Sequence, residues 1–587
     1  MRFAPLFLAL LALCACTQRD AGRQSADATD AGATRAVTPA GDHAFQAAIE
    51  AGDFTAHVRE LASDAFGGRG PGTPGEDKTV EYIRSQFARI GLQPGNGADW
   101  LQTVPMAETV ADASATLRLK AGDTEQALRY GDDMIVWTRS GRPHVSLNDS
   151  PLVFVGYGVD APERGWNDYE GIDVKGKTVV ILVNDPGFHA GNARLFDGPR
   201  MTYYGRWTYK FEEAARKGAA AALIVHDTAG ASYGWDVVRN SWSGPQYDLP
   251  AKDDPSPRLP AQGWITGEVA DALFKAAGQD FATLRAAANR PGFHAVPLGA
   301  SASLELNSTT TLKRSRNVLG LLPGSEKPDE AILYMAHWDH LGTHEGEAGD
   351  TIYNGAVDNA TGVAGLLEIA EAFRKAPTPP KRSILFLAVT LEESGLLGSK
   401  YYVAHPVLPL AKTVGVINLD ALSPVGKARD LTVTGKGSSQ LEDLLKTALG
   451  GQHRRMVAES NTTAGYYFRS DHFNFAKAGV PALYIGSGSD LLEGGKAAGE
   501  AADRDYGEHR YHKPGDQYDA ATWKVDGIVQ DLDAVYSVGR TLADGGQWPN
   551  WYEGSPFRAA RDAMRPAATP ASGDASRQRA AAGGGSR

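Results

Sequence analysis

At 587 residues, with 42% apolar and 22% charged side chains, the chain is long enough for two folded units plus tails and has the composition of ordinary globular protein. Its net charge of -11 is spread through mixed-sign sequence without the basic face that nucleic acid demands, so nucleic-acid binding is excluded. The only two cysteines, Cys14 and Cys16, lie at the extreme N-terminus, which excludes disulfides, cysteine-ligated metal and cysteine-protease chemistry in the body of the chain.

Arg2 precedes an apolar run over residues 3–13, too short to span a bilayer but of signal-peptide length. The run ends in Leu13-Cys14-Ala15-Cys16, which resembles a bacterial lipobox. Cleavage there leaves residues 1–15 as the signal peptide, and acylation of Cys16 ties the chain to a membrane of the cell envelope, as a periplasmic or outer-membrane lipoprotein. Residues 16–42 read as a flexible tether.

Three blocks follow. The first, 43–111, contains a helical pattern over 76–90, with Val80, Ile83, Phe87 and Ile90 on one face, after the turn Gly67-Gly68-Arg69-Gly70-Pro71-Gly72. The second, 112–300, is rich in short strands such as 152–155 and 178–183, with a helix-like stretch at 211–217 and an apolar run to Val225. The third, 301–548, alternates strand and helix at 332–335, 363–373, 384–389 and 414–419, which predicts an α/β sheet sandwiched by helices. Residues 549–587 read as a disordered tail.

Polar residues stand at the ends of the apolar strands of the third block: His337 and Asp339 after the first, Glu392 and Glu393 after the second, Asp420 after the third. Ligand sites in open α/β sheets gather beyond the carboxyl ends of strands. Asp358 precedes the helical stretch 363–373, where a plain helix cap is the simpler reading. His512 sits in Tyr511-His512-Lys513-Pro514-Gly515-Asp516. Zinc takes imidazole nitrogen and carboxylate oxygen, and a two-zinc site needs a bridging carboxylate plus two ligands per ion. Two histidines and three carboxylates meet that count, with one of the adjacent glutamates free to act as base.

The ordered series His337-Trp338-Asp339, Asp358-Asn359, Glu392-Glu393, Asp420 and His512 resembles the bacterial leucyl aminopeptidase and glutamate carboxypeptidase family of co-catalytic dizinc metallopeptidases. Arg469-Ser470-Asp471-His472 and the segment from Leu61 through Gly70 match its other landmarks. The 112–300 block, with Phe154-Val155-Gly156-Tyr157-Gly158 and Gly171-Ile172-Asp173-Val174-Lys175-Gly176-Lys177, resembles a protease-associated (PA) domain inserted in such enzymes. The resemblance implies a three-layer zinc-exopeptidase sandwich with a predominantly β insert. It implies two Zn2+ ions: Asp358 bridging, His337 and Asp420 on one, Glu393 and His512 on the other. It makes Glu392 the general base, Asp339 the residue orienting His337, and Tyr511 a candidate stabiliser of the oxyanion. His340 is set aside as a ligand because its register departs from the pattern, His344 lies near by, and His472 reads as structural, with Asp471 beside it. The substrate is then a peptide cleaved at its amino terminus. A carboxypeptidase would need an arginine cluster, to which Arg200, Arg206 and Arg216 are candidates. A glutaminyl cyclase and a non-catalytic binding lipoprotein are the remaining alternatives. Tyr466, Tyr467 and Phe468 either line an apolar specificity pocket or pack beneath it.

Overall fold

The computed structural model describes residues 48–192, 194–344 and 349–565; Cys14, Cys16, the tether and the tail beyond 565 lie outside the described residues. Four parallel strands form the heart of one sheet, in the order Arg382–Val389, Lys327–His337, Thr413–Leu419, Ala482–Gly486. Asp430–Val433 extends it antiparallel and pairs in turn with Arg455–Ala458. These strands are nearly continuous in apolar residues because both faces are covered. Along Lys327–His337, Ile332, Tyr334 and Ala336 enter the core formed with helices Thr361–Lys375 and Asp526–Asp544. Leu333 and Met335 enter the opposite core, which takes residues from Leu397–Ala404 and His472–Lys477. The result is a three-layer α/β sandwich, the fold class read from the sequence.

Helix Pro74–Ile90 shows how local signals set the elements. Thr73 caps its first turn by accepting from the Gly75 amide, Pro74 occupies the first position, and Gly91 closes it at φ 87°. Val80, Ile83, Phe87 and Ile90 all face the core.

The strand order positions the site. From Lys327–His337 the chain runs through Thr361–Lys375 and adds Arg382–Val389 on one side, then crosses back to add Thr413–Leu419 on the other. This reversal opens a crevice outside the carboxyl ends of Lys327–His337 and Thr413–Leu419.

The 112–300 block builds a second sheet around its own core. His144–Phe154, Thr178–Leu182, Ala221–Val225 and Ala261–Ile265 lie side by side in parallel. Helices Trp207–Arg216, Gly267–Ala276 and Phe281–Ala288 accompany them, so the block is mixed α/β and not predominantly β. Parallel neighbours require crossovers, and Trp207–Arg216 supplies the one from Thr178–Leu182 to Ala221–Val225. The two sheets share a strand. Val296–Leu322 pairs first with Thr116–Ala121 and His144–Phe154, then with Leu101–Ala111, and finally with Arg382–Val389. The boundary expected at residue 300 falls inside this continuous strand, just after Gly299 at φ 64° and within an irregular register between Pro297 and Ser301.

The expectation of disorder from residue 549 is corrected for residues 549–565. Trp551 is fully buried and its indole donates to the Gly479 carbonyl at 2.9 Å. Helix Arg558–Met564 follows, and buried Arg561 donates to the carbonyls of Thr413 and Val414 at 3.1 and 3.0 Å. Two anchors in a low-complexity background suffice to pin the segment. Trp551→Ala is expected to cost about 3–5 kcal/mol. Leu312→Ala, at a side chain 68% exposed on the shared strand, should change stability by less than about 0.5 kcal/mol. Urea unfolding midpoints of the two variants check the contrast.

Candidate metal centre

His337 ends its strand at the crevice, and Asp420 follows Thr413–Leu419 directly across from it. The His337 Nε2 lies 3.2 Å from Asp420 Oδ1 and 3.3 Å from Asp358 Oδ1. Asp358 belongs to the turn Ala356–Ala360 that leads into helix Thr361–Lys375, and its second oxygen lies 3.3 Å from the Nε2 of His512. The same His512 nitrogen lies 3.2 Å from Glu393 Oε2. Asp358 therefore stands between two donor groups, one carboxylate oxygen facing each. Donor atoms of His337, Asp358 and Asp420 lie within 4.8 Å of one another, as do those of His340, Asp358 and Glu393. All five residues expected as ligands are brought together.

The surroundings hold these side chains in place. Asp516 accepts from the amides of Val357 and Asp358 at 2.9 and 3.0 Å. The Asn359 side chain donates to the Leu419 carbonyl at 3.0 Å and accepts from the amides of Gly362 and Ala421, stitching the Asp358 turn to the Asp420 loop. Beneath them lies Arg69, wholly buried, whose guanidinium donates to the carbonyls of Trp338, Leu61, Asn354, Gly355 and Asp358. Burial lowers its pKa to about 10, against the pull of Asp516, Asp358 and other carboxylates, so it stays charged at neutral pH.

Two roles differ from expectation. The Asp339 carboxylate lies 3.9 Å from His337 Nδ1, whereas its backbone carbonyl lies 3.1 Å away. The carboxylate instead accepts from the amides of Glu392 and Glu393 at 3.2 and 3.4 Å, so it shapes the glutamate turn. His340, set aside in the sequence, places Nδ1 2.8 Å from Glu393 Oε1. His344 stacks near Tyr353 at 4.3 Å, and His472 is buried between the rings of Tyr467 and Tyr484. Asp471 accepts from the Ser399 hydroxyl at 2.5 Å.

Charge dominates the site. Burial raises Glu392 well above the ordinary carboxyl range, opposed by His337 and reinforced by Glu393 and Asp420. Burial would also raise Asp358, but hydrogen bonds from His337 and His512 carry it well below. Burial disfavours a charged His512, yet Asp358 and Glu393 push it up to about 10. A crevice with this surplus of carboxylates is short of positive charge.

The donors open on a cavity of about 510 Å3, lined by His337, Asp358, Glu392, Asp420, Tyr511 and His512. Tyr511 stacks on His512 with ring centroids 3.9 Å apart. Tyr466, Arg469 and Tyr484 complete its wall. The Tyr484 hydroxyl, 3.5 Å from Asp420 Oδ2, was not singled out from sequence, although a tyrosine inside an apolar strand end was a readable signal. Among the described residues, Arg200, Arg206 and Arg216 are not part of this wall. Tyr467 and Phe468 line a neighbouring cavity instead.

Residues 317–537, which carry every one of these donors, match the model of Peptidase family M28. The match covers just over a third of the chain, and it is this segment that is similar to the family. A mouse relative, "Aminopeptidase NAALADL1", is 30% identical over 166 residues, which is 27% of this chain and 20% of the relative. "Leupeptin-inactivating enzyme 1" of Streptomyces exfoliatus is 29% identical over 198 residues, 32% of this chain and 41% of the relative. The chain thus spans from a fifth to two fifths of the length of these relatives. An aminopeptidase from Aneurinibacillus sp. strain AM-1 superposes with a TM-score of 0.46 at 22% identity, over 85% of this chain and 95% of that one. A zinc aminopeptidase from Bacillus subtilis gives 0.40 at 19% identity, over 87% and 99%.

The M28 segment depends on a residue outside its matched span. Replacing Arg69 by methionine leaves several buried carbonyls without a donor, each costing about 1–3 kcal/mol. Arg69→Met should therefore lose at least about 3 kcal/mol of stability. Denaturant unfolding of the purified variant, compared with Arg84→Met at a half-exposed surface pair, measures this.

Proposed function

We propose that the chain is a zinc-dependent exopeptidase that removes residues from the amino terminus of peptides, working with two Zn2+ ions. The observation that carries the reading is Asp358, whose two oxygens face His337 and His512 at 3.3 Å each. The donor set supports zinc. Imidazole nitrogen and carboxylate oxygen are the donors zinc takes, and the contacts among His337, His512, Asp358, Asp420 and Glu393 run from 3.2 to 3.3 Å. On this reading His337 and Asp420 would hold one ion and Glu393 and His512 the other, with Asp358 within reach of both pairs. When bound, such ions supply Lewis acidity and a water that ionises near neutral pH.

The protein's own groups then divide the work. Glu392 lines the cavity, and its burial beside Glu393 and Asp420 raises its proton affinity, as a general base requires. It takes a proton from the attacking water and returns it to the departing amine. Asp339 fixes the turn that aims both glutamates, and His340 holds one oxygen of Glu393. Tyr511, stacked against His512, offers a phenol to the carbonyl oxygen as charge grows on it. The wall also carries Asp503, which suits a free ammonium group, beside Glu459 and Glu500 that lie 3.6 and 3.5 Å from Arg200 and Lys496. None of the three insert arginines that a carboxypeptidase might recruit lines the cavity, although Arg200 lies 3.6 Å from Glu459 in its wall. The 112–300 block is read as a PA-like module overhanging the mouth, and Cys16 as the lipid anchor in the cell envelope.

Glu392→Ala is expected to retain both zincs by metal analysis and to lose nearly all turnover; normal turnover would remove it as base. Asp358→Ala should lose metal on dialysis. A screen of aminoacyl fluorogenic substrates against amino-blocked peptides and amino-terminal glutamine peptides, with and without chelator, decides between aminopeptidase, carboxypeptidase and cyclase action. Incorporation of labelled palmitate into wild type but not Cys16→Ala tests the anchor.

A further inference from the structure

Beside the cavity lined by His337, Asp358, Asp420 and His512 lies a second one of about 450 Å3, within the range of specific ligand pockets. The two share Glu459 in their walls, so they are neighbours divided by that side chain. It is a seam. The 112–300 block contributes Arg200, Met201, Tyr203 and Tyr204, the M28 segment contributes the 435–438 turn with Tyr467 and Phe468, and the ordered tail contributes Tyr552 and Phe557.

The seam is firmly built from both sides. Met201 donates its amide to the Thr462 carbonyl at 3.2 Å, and its sulfur fills the space over Gly465. Arg200 donates to the Lys436 carbonyl at 3.2 Å and lies 3.6 Å from Glu459, the residue between the two cavities. Aromatic rings supply much of the wall. Tyr203 meets Phe468 at 6.5 Å and Phe557 at 5.6 Å, and Tyr467 meets Phe468 edge-on at 5.4 Å. Rings in such arrangements favour a further aromatic partner, edge to face or offset. Single aminoacyl groups would be held at the metal donors and never reach this seam.

We infer that the seam cavity receives the downstream part of the peptide, and that the substrates are oligopeptides carrying an aromatic side chain a few residues beyond the bond cut. This rests on the exopeptidase reading, since it takes the metal donors as the place of cleavage. An extended chain advances about 3.3–3.6 Å per residue, so a short run of residues bridges from one cavity to the next. The 112–300 block thereby becomes part of the substrate site, and the tail segment around Phe557 becomes its floor.

The test uses the full zinc-loaded chain with alanyl-4-nitroanilide and with alanine pentapeptides in which phenylalanine or glycine is placed in turn at the third, fourth and fifth positions. One position is expected to favour phenylalanine over glycine by about tenfold in kcat/KM, carried by KM. Phe468→Ala, which removes a wall ring, and Ser555→Trp, which fills the cavity, should each abolish that preference and leave alanyl-4-nitroanilide turnover unchanged. Equal rates for phenylalanine and glycine at all three positions overturn the inference, as does a preference that survives both variants. Failure to cleave alanyl-4-nitroanilide and every peptide would instead overturn the exopeptidase reading itself.

Discussion

Negative charge gathered in a crevice is the constraint around which this molecule is arranged. Asp358, Glu392, Glu393 and Asp420 converge on two imidazoles, His337 and His512, with a third, His340, behind. Like charges so close in a low-dielectric setting would drive one another apart or neutral. They stay because backbone amides, a buried guanidinium and the imidazoles oppose the repulsion from every side. Arg69 is the clearest instance, since one side chain from the start of the described chain ties together carbonyls on either side of His337 and Asp358. Asp516, Asn359 and Asp339 repeat the device at smaller scale. Each spends its hydrogen bonds on the loops that carry donors.

Much of this was legible in the sequence, because the donors follow strands whose apolar patterns are plain. His337, Glu392, Glu393 and Asp420 each sit just past such a run, and strand ends in an α/β sheet share one rim. Asp358 was harder to read, since an aspartate ahead of a helix is ordinarily a cap, and its position between two imidazoles appears only in three dimensions. His340 and Tyr484 were not placed at the site from sequence. Their partners, Glu393 and Asp420, lie 53 and 64 residues away, and neither distance leaves a local mark. Arg69 was visible as part of a glycine-rich turn but its burial was not, because an arginine in a turn is normally solvated.

The fold was read well where periodicity was strong and less well where it was not. The helices of the 112–300 block are short and their apolar faces narrow, so the block looked richer in strand than it is. The segment after 548 looked structureless because alanine, arginine and proline dominate it. Trp551 and Arg561 nonetheless bury themselves against Gly479 and the start of Thr413–Leu419. Composition describes the average residue of a segment, whereas order here depends on two of them.

The strand Val296–Leu322 joins both sheets without a break. Side chains along a strand alternate between faces, so displacing the register by one residue exchanges inside for outside. On this strand that exchange would strike two hydrophobic cores at once, one of them directly beneath the metal donors. The inserted block is therefore no detachable ornament. An odd insertion between its two halves would put them out of phase unless a bulge took up the extra residue, as the irregular register at Pro297–Ser301 and Ala302–Leu304 does.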